Sequence, residues 1–376
     1  MIESSEHFLT VRKQHTEIKH KLFYDTFNAV LGISAKFSDK NSFTYLDLYA
    51  GQGKFSDESF GSPMLALNTI LDSNVLDSFH EIKCFFSEVD KKSYFELEKN
   101  ILDLKDKKSF NPKVKTLLYN GSWYDNNNEI DKLLQYSKWG FIFIDPFSNE
   151  IELDNLIDLL KVRAKFKDFM MFINFQSLKR IVGRYPGHKG VANFLGVNQE
   201  ELNFIIKDNN LINDCIRNRF SVMNKDYIIN VLIPTTREGN IENRDNFALL
   251  LGTNSIGVAD AFLVSYFESL QVYKNGFAPS LFDNMGDDIF KIIKNEKTIT
   301  LNNLIQKIYS SHSSWRFAEM NNIPISLNIH RSVNDLISNK RIKVVSNCTE
   351  FLSTKDRTIN KKAYNRNKFM KNIILE

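Results

Sequence analysis

The run Tyr45-Leu46-Asp47-Leu48-Tyr49-Ala50-Gly51-Gln52-Gly53-Lys54 holds the residues best suited to grip a ligand. An apolar strand leading straight into G-x-G lets the backbone turn tightly and approach a bound molecule where a Cβ would clash. Spacing excludes two related loops. A dinucleotide fingerprint needs a third glycine at position 56, which is Ser56, and a phosphate-cradling loop needs glycine at 48 and Ser or Thr at 55, which are Leu48 and Phe55. Further on, Ser87-Glu88-Val89-Asp90 follows the apolar stretch 82–86, so a carboxylate stands at a strand end where it can accept both hydroxyls of a ribose. Glu88 is the better placed of the two acids, since Asp90 also suits a helix N-cap before Lys92. A third strand leads to Asn120-Gly121-Ser122-Trp123-Tyr124-Asp125, where a polar side chain can meet the edge of a planar ring and an aromatic its face; an ordinary turn has the same composition. A fourth delivers Asp145-Pro146-Phe147-Ser148, and an aspartate at the tip of a buried apolar strand is costly unless it faces a ligand crevice.

The pattern D-x-[FY]-x-G-x-G over Asp47 to Gly53 resembles motif I of class I S-adenosylmethionine (SAM)-dependent methyltransferases. The resemblance implies a loop around the methionine part of SAM, with Asp47, Tyr49, Gly51 and Gly53 as cofactor contacts, Glu88 on the ribose and Asn120 at the adenine. Asp145-Pro146-Phe147 resembles motif IV of the amino-methylating group, [DNS]-P-P-[YFW], which implies an acceptor for the protons of an exocyclic base amine and an aromatic that stacks on a flipped base. One proline is missing here, which leaves the amine target open, and no Pro-Cys follows the strand, which argues against cytosine carbon-5 chemistry. As an ordered set, His15-Thr16-x-x-Lys19, Tyr49-Ala50-Gly51-x-Gly53, Gly61-Ser62-Pro63 and Asp145-Pro146-Phe147 resemble the three-Cys-motif partner protein (TcmP) family. Phe194-Leu195-Gly196 and Leu250-Leu251-Gly252-Thr253 extend the resemblance more weakly over most of the chain, with Tyr49 in place of the more usual Phe and Ser148 in place of Gly. It implies a partner with a three-cysteine motif, akin to radical-SAM enzymes, and a pocket role for His15, Thr16, Lys19 and Ser62. From the residues themselves, His15 and Lys19 lie one helical turn apart on one face. Ser62 reads as an N-cap with Pro63 at the first helical position, leaving free N–H groups for a carboxylate or phosphate.

These groups need a parallel sheet to bring them to one edge. Short apolar runs at 45–48, 82–86, 116–119, 141–144 and 169–173 alternate with helical patterns at 64–76, 92–102, 129–136 and 153–161, the βαβ signature of a sheet covered on both faces. Runs at 228–233 and 247–251, joined by a polar turn over 235–246, predict an antiparallel hairpin at the sheet edge. The fold class expected is α/β: a Rossmann-like class I methyltransferase domain over 1–280, with an N-terminal helix and an insertion around 176–226. A winged helix-turn-helix over 295–352 follows, read from helices at 301–309 and 329–337 and a strand at 341–345, then a basic tail over 353–376. Lys179, Arg180 and Arg184 after the fifth strand, and Arg331, Lys340, Arg341 and Lys343 on the expected recognition helix and wing, are the candidates for binding DNA or RNA.

Charge points the same way. Across 376 residues the net formal charge is only +4, but residues 1–296 carry 35 Lys/Arg against 40 Asp/Glu, whereas 297–376 carry 14 against 5. A basic end on an acidic body suits a polyanion. Three distant cysteines, Cys84, Cys215 and Cys348, indicate neither a disulfide framework nor a zinc site, and no run is long enough to span a membrane, so a reducing, cytoplasmic setting is expected without a metal. The leading expectation is a SAM-dependent methyltransferase acting on nucleic acid. The alternatives are a SAM-fold sensor or interaction protein without catalysis, and methylation of a protein or small molecule.

Overall fold

A computed structural model describes residues 14–108, 110–146, 153–163, 167–237, 240–273, 285–310, 325–345 and 373–376. The chain divides into two compact units, Met1–Asn254 and Ser255–Glu376. The first is built on seven strands: β1 (Ser42–Asp47), β2 (Ile82–Glu88), β3 (Val114–Asn120), β4 (Ser137–Ile144), β5 (Asp168–Asn174), β6 (Tyr227–Arg237) and β7 (Asn240–Thr253). Their order in the sheet is β3-β2-β1-β4-β5-β7-β6, and β7 alone runs against the rest. Helices α1 (Gln14–Lys36), α2 (Ser62–Leu71), α3 (Lys91–Lys107), α4 (Asn127–Tyr136) and α5 (Leu153–Asp158) accompany the first five strands. Four more, α6 (Phe175–Arg184), α7 (Lys189–Leu195), α8 (Gln199–Ile205) and α9 (Asn209–Phe220), fill the segment expected as an insertion.

The two central strands, β1 and β4, are buried over Phe43–Asp47 and Gly140–Ile144 because both faces are covered. One face of β1 and β4 presents Phe43, Tyr45, Phe141 and Phe143 to α1, whose Phe23 and Phe27 sit one turn apart. Phe23 lies 4.7 Å from the Phe143 ring and Phe27 5.1 Å from that of Tyr45. The opposite face gathers Leu46, Ile142 and Ile144 with Leu133, Leu178 and Ile216 of α4, α6 and α9. Truncating one of these buried rings to alanine costs on the order of 3–5 kcal/mol, so α1 belongs to the core. The chain leaves the middle of the sheet in opposite directions from β1 and β4. Such a reversal opens a crevice beyond the carboxyl ends of the strands.

The expected hairpin exists but is longer. Residues 235–237 and 240–246 continue the two strands as far as the pairing of Arg237 with Asn240, with register shifts at Pro234, where a missing N–H breaks the ladder. Polarity misled here because a ladder that extends past the core needs no apolar side chains. The second unit holds α10 (Ile256–Tyr273), α11 (Met285–Glu296), β8 (Ile299–Thr300), α12 (Leu301–Ser310), α13 (Ile325–Ser338) and β9 (Ile374–Leu375). Its core includes Phe262, Ile289, Ile293, Leu304, Ile308, Val333 and Leu336. Residues 341–345, expected as a strand, form one bridge, Val344 to Leu375, while β9 pairs with β8. The stretch 353–372, residues 274–284 and Cys348 lie outside the described residues. No helix among the described residues is long and apolar enough to cross a membrane, and they contain no His/Cys/Asp/Glu cluster fit for a metal.

Candidate functional site

Asp47, Gly51, Gly53, Glu88, Asn120 and Asp145 stand on one rim, at the carboxyl ends of β1 to β4. Between β1 and α2 the backbone takes φ of +63° at Gly51 and +80° at Gly53, a region that penalises any side chain. A Cβ on Gly53 would stand 2.9 Å from Leu97 Cδ1 and 3.3 Å from Met64 Cγ, so this glycine lets the loop close on α2 and α3. A Cβ on Gly51 would meet nothing within 4 Å. Gly53 thus shapes the loop, and Gly51 borders open space.

Glu88 ends β2 and turns back to this loop. Its Oε2 accepts from the Gly51 N–H at 2.7 Å and its Oε1 from the Asp90 N–H at 2.7 Å. A carboxylate offers about four acceptor positions, more than these N–H groups take up, so Glu88 can still accept a hydroxyl. Burial pushes the Glu88 carboxyl up, with the backbone N–H groups of Asp90, Gly51 and Val89 pulling it back. Asp90 caps α3 by accepting from the Ser93 N–H at 2.8 Å, which leaves Glu88 as the acid facing the loop. Asn120, exposed at the end of β3, donates from Nδ2 to the Glu88 carbonyl at 2.9 Å. Ser87 donates to the Gly121 carbonyl at 2.8 Å, and the Ala50 N–H donates to the Ser87 carbonyl at 2.9 Å, so the loops after β1, β2 and β3 are tied together.

Asp47 lies beneath the loop with no solvent exposure. Its carboxylate accepts from the Tyr45 hydroxyl at 3.1 Å and the Tyr49 N–H at 3.4 Å, and hydrogen-bonds the Ser62 side chain. Burial pushes its carboxyl up to about 7, assisted by nearby Asp145 and opposed by those three hydrogen bonds. Ser62 is therefore not the N-cap that its sequence suggested. Gly61 takes that position, donating from its N–H to the Gly53 carbonyl at 2.8 Å, and Ser62 moves into the first turn, where its side chain serves Asp47. The Tyr49 hydroxyl accepts from the Trp123 indole N–H at 3.2 Å.

Beyond β4, Asp145 is paired. Lys19 of α1 approaches its Oδ2 at 2.5 Å and stands 4.7 Å over the Phe172 ring of β5. Both side chains are mostly buried, 11% and 21% exposed, so the pair is desolvated more than a surface bridge and weighs more than one. Neither the pairing nor the role of Phe172 was readable in advance, because 126 residues separate the charges and Phe172 looks like any core aromatic. Pro146 follows Asp145; Phe147 lies outside the described residues, and His15 and Thr16 are described only as part of the α1 backbone.

The basic candidates separate into two groups. Lys179, Arg180 and Arg184 lie on α6, which starts where β5 reaches the same rim, and burial pulls the Lys179 ammonium down against an opposing pull from Asp208. Arg331, Lys340, Arg341 and Lys343 are exposed in the second unit, but Arg341 stacks on Phe290 at 4.3 Å and Lys343 pairs with Glu376 at 2.9 Å.

This is a mostly parallel α/β sheet with a crevice at its switch point. No family model matches the chain, and no curated protein is matched either. Among solved structures it is similar to protein LPL1258 of Legionella pneumophila, a DUF519 protein, at 15% identity over 68% of this chain and 91% of that one, with a TM-score of 0.40. It is also similar to the methyltransferase domain of a bacterial CtHen1-CN, at 10% identity over 62% and 99% and a TM-score of 0.30. The plantazolicin methyltransferase BpumL, in complex with SAH and a substrate analogue, is similar at 12% identity over 64% and 86%, again with a TM-score of 0.30. Likenesses this distant carry no functional weight, which falls instead on the geometry of the rim.

Proposed function

We propose that the protein is a SAM-dependent methyltransferase, and that its acceptor is nucleic acid. One observation carries the reading: at the switch-point crevice, the Glu88 carboxylate and the Gly51 amide face each other at 2.7 Å across a left-handed glycine loop, with a fully buried Asp47 below. The residues fit the cofactor on their own terms. Open space borders Gly51, Glu88 keeps acceptor capacity for a ribose hydroxyl, and a buried carboxyl raised to about 7 is stabilised by the cationic groups that SAM carries. When bound, SAM supplies an electrophilic methyl on its sulfonium. In this reading Asp47 and the loop of Tyr49, Gly51 and Gly53 orient the methionine end, Glu88 holds the ribose and Asn120 borders the base. Asp145, with Pro146 and Phe147, faces the acceptor. Lys19 engages Oδ2 of Asp145, which leaves Oδ1 to take the acceptor proton.

The same reading makes the second unit a winged helix. Its order α11, β8, α12, α13, a bridge at Val344 and then β9 supports this, and with the basic stretch 353–376 it forms the substrate handle. A three-cysteine-motif partner remains part of the proposal. Calorimetry with SAM on the native chain and on Glu88→Ala tests the cofactor site: the native chain binds and the variant loses at least about 10-fold, from one or two charged hydrogen bonds. Absence of binding by the native chain overturns the proposal. Labelled SAM offered with separate DNA, RNA and protein pools, with and without the partner, identifies the acceptor.

A second reading is a sensor or interaction protein on the same fold. The Lys19 to Asp145 pair favours it, because a cation already occupies one side of the acceptor carboxylate. It predicts that Asp145→Asn leaves SAM binding and biological output unchanged.

A further inference from the structure

Residues 169–199 carry four Lys/Arg and not one Asp or Glu, although the chain up to 296 is net acidic. The structure shows how they are displayed. Helix α6 buries Phe175, Leu178 and Val182 and turns Gln176, Arg180, Gly183 and Arg184 outward, with Lys179 half-buried beside them. Its C-terminus is fixed by the Tyr185 N–H donating to the Ile181 carbonyl at 2.9 Å. Tyr185-Pro186-Gly187-His188 then closes a tight turn: the His188 N–H donates to the Tyr185 carbonyl at 3.1 Å, and Gly187 has φ of +73°. Proline second and a left-handed glycine third are the requirements of a type II turn. His188 in turn caps α7, its Nδ1 accepting from the Val191 N–H at 3.3 Å. A helix end, a turn and a helix start therefore hold Tyr185 in place at 65% exposure, with exposed Arg184 on one side and exposed Lys189 on the other. The imidazole of His188 stands 6.3 Å from the phenol ring. Among the described acids, Asp208 bears on Lys179, and Gln199, which precedes exposed Glu200, borders Gly187 of the turn.

We infer that this turn is a docking platform for single-stranded nucleic acid, with a base stacked on Tyr185 and phosphates on Arg184 and Lys189. The inference rests on the reading of the acceptor as nucleic acid and narrows it to unpaired strands. An exposed aromatic flanked by cations is what a single strand needs, since every base has a π-face and every linkage a charge, whereas a duplex hides its base faces. Helix α6 spans about 15 Å from the rim to the turn, at the usual rise per residue. A few nucleotides can bridge it, so a strand held at Tyr185 reaches the crevice beside Asp145.

The test uses the full chain and fluorescently labelled oligo(U), oligo(dT) and a duplex, each about 20 nucleotides long so as to cover a single-strand site, read by anisotropy over a salt series. The native chain binds either single strand more tightly than the duplex. Tyr185→Ala weakens single-strand binding roughly 5- to 150-fold, the range for one lost stacking contact, and Tyr185→Phe restores it. Arg184→Gln with Lys189→Gln lowers the salt slope by about 1.4, at roughly 0.7 for each phosphate contact on a single strand. Unchanged binding by Tyr185→Ala, equal binding of duplex, or displacement by polyglutamate as effective as by unlabelled oligo(U) overturns the inference; the last outcome assigns the surface to an acidic protein. SAM calorimetry on the same samples separates the two proposals. Tyr185-dependent strand binding without SAM binding removes the methyltransferase and keeps the platform, and SAM binding without strand binding does the reverse.

Discussion

Asp47→Asn should make the free protein more stable while removing its ligand. The Asp47 carboxyl is fully buried and raised from 3.8 to about 7 by that burial. A carboxyl whose folded value lies above its unfolded one contributes stability that is complete below about 4 and is lost as pH rises through about 7. At about 1.4 kcal/mol per pH unit, the cost of folding Asp47 away from the water in which it ionises near 3.8 is about 1.5 kcal/mol at pH 5 and about 4 kcal/mol at pH 8. Asparagine never pays it. Its carbonyl oxygen keeps an acceptor for the Tyr45 hydroxyl or the Tyr49 N–H, so the packing persists. The advantage of the variant over the native chain therefore grows by about 2–3 kcal/mol between pH 5 and pH 8. Urea denaturation at both pH values, following the first unit's own transition, measures it. Glu88 and Asp168 are also raised, but they are present in both proteins and cancel in the difference. An advantage independent of pH, or a variant less stable than the native chain at pH 8, refutes the reasoning.

The same ionisation governs ligand binding with the opposite sign: between pH 6 and pH 8 the affinity of the native chain for SAM rises as Asp47 becomes anionic, whereas that of Asp47→Asn stays low and flat in calorimetry. Lys19→Met removes the cation from Asp145 and is expected to hold SAM affinity within about 2-fold while slowing single-turnover transfer at least about 10-fold, the scale of one charged contact at a reacting centre. Gly252→Ala places a Cβ 2.0 Å from the Phe169 ring across the β5 to β7 pairing and should destabilise the first unit by about 1–3 kcal/mol in a denaturant titration. Lys225→Met withdraws the cation that lowers buried Asp168, which stands at about 6. Breaking such a pair costs about 3 kcal/mol, and because Asp168 must ionise as pH rises, the loss should be larger at pH 8 than at pH 5.

Much of this site was legible because strand ends and ligand groups share short stretches of sequence. Asp47 through Gly53 and Ser87 through Asp90 each combine an apolar run with the polar residue that follows it, so strand, loop and candidate contact were read together. The capping role of Asp90 was also legible locally, and it differs from that of Glu88, two residues before the cap, which accepts from the Gly51 N–H. Ser62 shows where such reading stops. Serine before proline at a helix start is a good N-cap, yet Gly61 takes the cap because its backbone must reach the Gly53 carbonyl, and a carboxylate buried 15 positions earlier claims the serine. Helix α1 was legible only as His15, Thr16 and Lys19. The residues that make it part of the core, Phe23 and Phe27, have value only against the Tyr45, Phe141 and Phe143 rings that the sheet brings to them.

That packing is what turns two separate motifs into one site. Phe23 against Phe143 fixes α1 across the β4 strand that ends in Asp145, and it is this docking that places Lys19 within 2.5 Å of the carboxylate and over Phe172. The charge beside Asp145 is therefore set by an aromatic contact one helical turn away from Lys19. A mutation that loosens Phe23 should act at Asp145 as well as on stability: Phe23→Leu keeps an apolar side chain in the core yet gives up the edge-to-face contact, worth about 0.5–1.5 kcal/mol beyond area burial. If α1 positions Lys19, this variant shares the transfer defect of Lys19→Met while still binding SAM. If Lys19 finds Asp145 without the aid of the rings, the variant is less stable and transfers methyl groups at the native rate.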